Sequence, residues 1–122
     1  MKTVAVIGAS NDRSKFGNKA VRAFQQTGHK VFPVHPAQTE VEGLPCFKGI
    51  REVPERPNLV SVYVGPERLL GILPDIAARG CDELWLNPGT VSEEVLTKAE
   101  ELGLKTRELC SIMEVGLSPE EM

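Results

Sequence analysis

Short, uninterrupted apolar runs alternate with longer amphipathic stretches along this chain, and that alternation limits the folds open to it. Val4-Ala5-Val6-Ile7 is apolar throughout and ends in Gly8. Such a run, bounded by a turn residue, fits a strand covered on both faces. From Lys15 to Thr27, Phe16, Ala20, Val21, Ala23 and Phe24 recur at helical spacing, and Gly28 is placed to end the helix in a left-handed cap. Lys30-Val31-Phe32-Pro33-Val34 reads as a second strand. Its Pro33 calls for a strand end or a disrupted ladder.

The middle of the chain is less regular. Leu44 to Phe47 reads as a short strand, Lys48 to Val53 as a helical turn, and Pro54 and Pro57 mark a loop. Leu59-Val60-Ser61-Val62-Tyr63-Val64 is the next strand. Pro66 to Arg79 reads as a helix that Pro74 either kinks or begins, with Gly80 closing it. Glu83-Leu84-Trp85-Leu86 is a strand. Thr90-Val91-Ser92-Glu93 has capping-box spacing, opening a helix through Leu102 whose buried face is Val95, Leu96, Ala99 and Leu102. Leu104 to Arg107 is a last strand, and Ser118 to Met122 a frayed tail outside a domain of residues 1–117.

Strand and helix alternating in this way predict a doubly wound α/β fold. A mainly parallel sheet carries helices on both faces, with right-handed crossovers. The 122 residues suffice for one such domain. The formal net charge is −3, where a generic nucleic-acid-binding domain would be basic. No apolar stretch reaches the roughly 18 residues that cross a bilayer. Met1-Lys2-Thr3-Val4 runs straight into the first strand without a signal peptide, so a cytosolic location is expected. Cys46, Cys81 and Cys110 lie far apart with no metal-ligand spacing, and read as small packed residues.

In such sheets ligands bind beyond the carboxyl ends of the strands, near the point where strand order reverses. Four loops qualify: Gly8 to Lys15, His35 to Pro36, Gly65 to Arg68, and Asn87 to Thr90. The first carries the strongest chemistry. Gly8 permits a tight turn, and small Ala9 and Ser10 allow close backbone approach. The start of the following helix offers amides and a positive dipole end, and Arg13 and Lys15 add cations. These residue types predict a phosphate. The loop lacks GxxxxGK[ST], and Ser10 and Arg13 stand where GxGxxG needs glycines. The acidic residue a dinucleotide site wants after the second strand is replaced by His35-Pro36, and Val34 with Pro36 suggests a wall beside an adenine.

Five segments, in order, resemble the small stand-alone CoA-binding proteins, which are similar to the N-terminal CoA-binding domain of the succinyl-CoA synthetase α subunit. They are Val4 to Ser10, Lys30 to Pro36, Leu59 to Val64, Glu83 to Gly89, and Cys110-Ser111-Ile112-Met113-Glu114. The resemblance implies a Rossmann-like fold and coenzyme A as the bound cofactor. It implies that Gly8, Ala9, Ser10, Arg13 and Lys15 meet the CoA phosphates, and that Val34, His35 and Pro36 flank the adenosine. Val64, Gly65 and Pro66 would line the other side. His35 departs from the pattern, since relatives often carry Asn there. The ligase needs a further domain with a phosphorylated histidine and a partner subunit, so its activity does not follow.

The functional expectation is non-catalytic binding of CoA or an acyl-CoA, with no catalytic residue and no metal assigned. Two alternatives stay open: an NAD(P)-binding redox protein using the same loop, and a regulatory subunit with a vestigial CoA site. No serine or cysteine is identifiable as a partner for His35, and Cys110 reads as packing, with thiol chemistry toward CoA a minor alternative. Exposed edge strands leave a homodimer open.

Overall fold

The structure, a computed structural model, describes residues 2–122. The first apolar run forms β1 (Thr3–Ile7), followed by α1 (Phe16–Gln26) and β2 (Lys30–Val34). A small hairpin of β3 (Glu40–Val41) and β4 (Leu44–Pro45) leads to a 3₁₀ turn over Ile50–Glu52. Then come β5 (Leu59–Val62), α2 (Pro66–Arg79), β6 (Glu83–Leu86), α3 (Glu93–Glu101), β7 (Thr106–Glu108) and the single-turn α4 (Ser111–Glu114).

Five strands make one parallel sheet in the order β2-β1-β5-β6-β7. Both faces are covered. Ala5 and Ile7 point to the side of α2 and α3, where Leu69, Leu73, Ile76, Val95 and Ala99 meet them. Val4 and Val6 point to the side of α1 and α4, among Ala20, Val21, Phe24, Trp85 and Ile112. Burial on both sides is why β1 shows no polar alternation. The fold is therefore the doubly wound α/β sandwich that the alternation predicts, and Rossmann-like as the resemblance implies. Among the described residues no helix is long and apolar enough to cross a membrane.

Local departures from the sequence reading have local causes. Phe16 begins α1 but turns outward, 53% exposed, rather than joining its buried face. Pro33 is tolerated because β2 pairs with only one strand of the main sheet, and Phe47 bonds back to its carbonyl. Leu44 to Phe47 is not one strand: Leu44–Pro45 pairs with β3, and Phe47 bridges Val34. Pro66 supplies the first residue of α2, and Pro74 lies inside that helix, which runs unbroken to Arg79. A proline at 74 cannot donate to the carbonyl of Leu70. Lys98 Nζ on α3 donates to that carbonyl instead, at 3.1 Å. Ser92, not Thr90, caps α3, its Oγ accepting from the Val95 amide at 3.1 Å. The last strand is Thr106–Glu108, one residue beyond the expected end. The tail is docked rather than frayed: residues 119–121 form a 3₁₀ turn, and the Met122 carbonyl accepts from Arg22 Nη1 at 2.9 Å.

Candidate functional site

Strand order reverses between β1 and β5, and two adjoining cavities open at the carboxyl ends of those strands. They share a wall of Gly8, Lys15, Tyr63, Val64 and Gly65. The smaller, about 310 Å³, continues past Phe16 and Gly17 to Asn87, Pro88, Gly89, Thr90 and Cys110. The larger, about 500 Å³, extends past Ser10, Val34, His35 and Pro36 toward Lys48, Ile50, Arg68 and Ile72.

The shared wall depends on two glycines. Gly8 has φ +89°, and a Cβ there would stand 2.9 Å from the Tyr63 carbonyl oxygen. Gly17, in the first turn of α1, lies so close to β1 that a Cβ would sit 2.1 Å from the Gly8 carbonyl oxygen. This contact brings the start of α1 against the strand end. Lys15, the residue before the helix, supplies no side-chain cap. Among the described residues, the Phe16 and Gly17 amides bond to nothing within the chain. Free amides and the helix dipole make this point electropositive, and the Lys15 ammonium adds a full charge.

The intervening loop holds itself in place. The Asp12 amide donates to Ser10 Oγ at 3.0 Å, and Asp12 Oδ1 accepts from the Ser14 amide and hydroxyl at 3.0 and 2.6 Å. Those Ser14 bonds hold the Asp12 carboxyl below its usual range. Buried Asn18 donates to the Ser10 carbonyl at 2.8 Å and to Glu42 at 3.0 Å, tying the loop to the hairpin.

The floor of the smaller cavity is a polar network. Asn87 donates to Ser61 Oγ at 3.1 Å and to the Val62 carbonyl at 2.9 Å, and accepts from the Ser111 amide at 2.8 Å. The Ser61 and Ser111 hydroxyls bond each other at 2.8 Å. Thr90 Oγ1 donates to the Asn87 carbonyl at 2.7 Å. These side chains serve the fold, fixing the loops after β5, β6 and β7 relative to one another. Burial pushes the Tyr63 phenol up to about 12, so it stays protonated at any ordinary pH.

The structure sorts the residues singled out from the sequence. Gly8, Ser10, Lys15, Val34, His35, Pro36, Val64 and Gly65 all line the cavities. Ala9 does not: its side chain is fully buried among the α1 core, and its amide bonds to the Val34 carbonyl at 3.3 Å. Arg13 also lies outside both linings, pairing with Glu42 at 3.5 Å. Pro66 faces a neighbouring surface depression instead. His35 Nδ1 accepts from the Ala37 amide at 3.0 Å, which leaves Nε2 as its free ring nitrogen. Asn87 and Arg68, which also line the cavities, fall in two of the four loops marked from the sequence, whereas Gly17, Tyr63 and Lys48 were not expected there. Gly17 alone left a usable signal, a glycine in the first turn of a helix where it weakens propensity.

A family model described as CoA binding domain matches residues 2–116. The chain belongs to that CoA-binding family. It is 26% identical over 102 residues to the uncharacterized protein YneT of Bacillus subtilis, covering 84% of this chain and 76% of YneT. Against the ADP-forming acetate–CoA ligase I of Archaeoglobus fulgidus it is 28% identical over 115 residues. That match takes in 85% of this chain but only 17% of the ligase. A conserved hypothetical protein from Pyrococcus furiosus has the same fold, with a TM-score of 0.88 at 30% identity over 93% of this chain and 99% of that one. The dinucleotide-forming acetyl-coenzyme A synthetase 1 of Ca. Korarchaeum cryptofilum contains the fold as a part. There the TM-score is 0.77 at 26% identity, over 86% of this chain and 25% of the synthetase. The resemblance read from the five segments thus extends to ADP-forming acetate–CoA ligases, of which this CoA-binding family chain spans a small share.

Proposed function

We propose that this chain binds coenzyme A, or an acyl-CoA, across the two adjoining cavities, and that its role is recognition rather than turnover. One observation carries this reading: both cavities meet where the unbonded Phe16 and Gly17 amides and Lys15 stand at the end of β1. A diphosphate seated there would leave an adenosine for the larger cavity, between the Val34-His35-Pro36 wall and Ile72. The pantetheine arm would run into the smaller one toward Cys110. Membership in the CoA-binding family supports the ligand. The two side chains best suited to acid–base or nucleophilic work, His35 and Cys110, line different cavities, which argues against a catalytic pair.

The test is thermal unfolding with CoA, acetyl-CoA, NAD, NADP and ATP in turn. A ligand at about 100 times its dissociation constant stabilises a folded protein by about 2.7 kcal/mol. For a chain of this size that is roughly 8–13 °C in midpoint. CoA or acetyl-CoA should give the shift and Lys15→Ala should shrink it. A shift with NAD or NADP and none with CoA would refute the proposal.

A further inference from the structure

Two cations in the larger cavity are not needed by the fold. Lys48 and Arg68 both line it, neither lines the smaller cavity, and neither enters an ion pair among the described residues. They come from separate elements, Lys48 from the segment after β4 and Arg68 from the first turn of α2. The start of α2 adds to the positive field. Its N-cap Gly65 gives no side-chain bond and its first residue is Pro66, so among the described residues the Glu67 and Arg68 amides are left open. Of the acids nearby, Asp75 lines the same cavity and pairs with Arg51 at 3.6 Å, and Glu52 accepts from the Lys48 backbone amide at 3.3 Å. A diphosphate seated at the shared wall would be met by Lys15 and the α1 amides. Lys48 and Arg68 therefore stand ready for a second anion on the adenosine side. A phosphomonoester, with a charge of about −1.5 to −2 at neutral pH, matches two such cations.

We propose that Lys48 and Arg68 receive the 3′-phosphate of coenzyme A and so set this site's preference for a 3′-phosphorylated nucleotide. The inference rests on the reading that CoA is the ligand. Arg68 offers a two-pronged contact to phosphate oxygens and Lys48 a point charge. Both side chains are exposed, so replacing them leaves the core intact.

The experiment is titration calorimetry of CoA and dephospho-CoA against the wild type, Lys48→Ala, Arg68→Ala and the double variant. The wild type should bind CoA at least tenfold more tightly than dephospho-CoA. Each single variant should weaken CoA several-fold, and the double variant about tenfold or more, while dephospho-CoA affinity stays unchanged throughout. Equal wild-type affinity for the two ligands overturns this inference and leaves CoA binding standing. Equal weakening of both ligands in the variants also overturns it, because it would assign the two cations to the diphosphate. Failure of the wild type to bind CoA at all would remove the functional proposal and this inference together.

Discussion

Two glycine-to-alanine substitutions, chemically identical, should move stability in opposite directions. At Gly17 a Cβ would stand 2.1 Å from the Gly8 carbonyl oxygen, 3.0 Å from its carbon and 3.4 Å from Ala9 Cα. Restoring an ordinary contact needs a displacement of about 1 Å, and the obstructing atoms are backbone at the end of β1, with no side chain free to swing away. Overpacking of this kind costs about 1–3 kcal/mol, and rigid backbone places the change at the upper end. Helix propensity returns up to about 1 kcal/mol when alanine replaces glycine. Gly17→Ala should therefore lose about 2 kcal/mol. Gly71 lies within α2, exposed, with nothing within 4 Å of an added Cβ, so Gly71→Ala should gain up to about 1 kcal/mol. Urea unfolding reads both, and the midpoints in thermal scans should separate by roughly 8–15 °C. Gly17→Ala should also bind CoA more weakly, because the shift carries the open Phe16 and Gly17 amides away from Gly8. A Gly17→Ala protein as stable as wild type, with CoA affinity intact, would refute the claim that this close approach builds the anion seat.

Two further expectations follow from buried and paired groups. Asn87→Ala deletes three hydrogen bonds beneath the smaller cavity and strands the Ser111 amide, so it should cost about 2–4 kcal/mol in urea unfolding. A loss below about 1 kcal/mol would mean that water replaces the network. Asp82 is held below its ordinary value of 3.8 by Arg56 at 2.8 Å and then by Asn58 at 2.9 Å. A depressed carboxylate stabilises the fold above its unfolded value and loses that contribution as pH falls through the folded one. Asp82→Asn should therefore flatten the loss of stability below about pH 4, and acid limbs that superimpose on wild type would show the pair to be inert.

The sheet was legible because its signal is local. The inner strands are covered on both faces, so β1, β5 and β6 announce themselves as mainly apolar runs, interrupted by Ser61 in β5 and led by Glu83 in β6, wherever their neighbours lie in sequence, whereas the edge strand β7 is largely exposed. The loops were legible only in part. Amides at a strand-to-helix turn follow from position alone, and Gly8 and Lys15 do line the shared wall. The destination of a side chain is set by whatever arrives from elsewhere. Arg13 is drawn aside by Glu42, twenty-nine residues later, and Ala9 is small for the core on the α1 side. Thr90 fits a capping box in sequence, yet its hydroxyl turns back to the Asn87 carbonyl and leaves Ser92 to cap α3.

The same distinction explains why the pairing of the site's two free charges could not be found from the sequence, although Arg68 ends a loop marked there as a ligand candidate. Lys48 and Arg68 lie twenty residues apart, in a segment of irregular backbone and in a helix start. Neither sits in a motif, and each alone is an ordinary solvated cation. What gives them meaning is subtraction in three dimensions: Arg51 pairs with Asp75, Arg13 with Glu42 and Arg56 with Asp82, while these two line the same cavity and, among the described residues, enter no ion pair. Two like charges lining one concavity make it attractive to an anion. Such an arrangement is understandable where an anion completes it, and the 3′-phosphate is the anion that the proposed ligand would bring there.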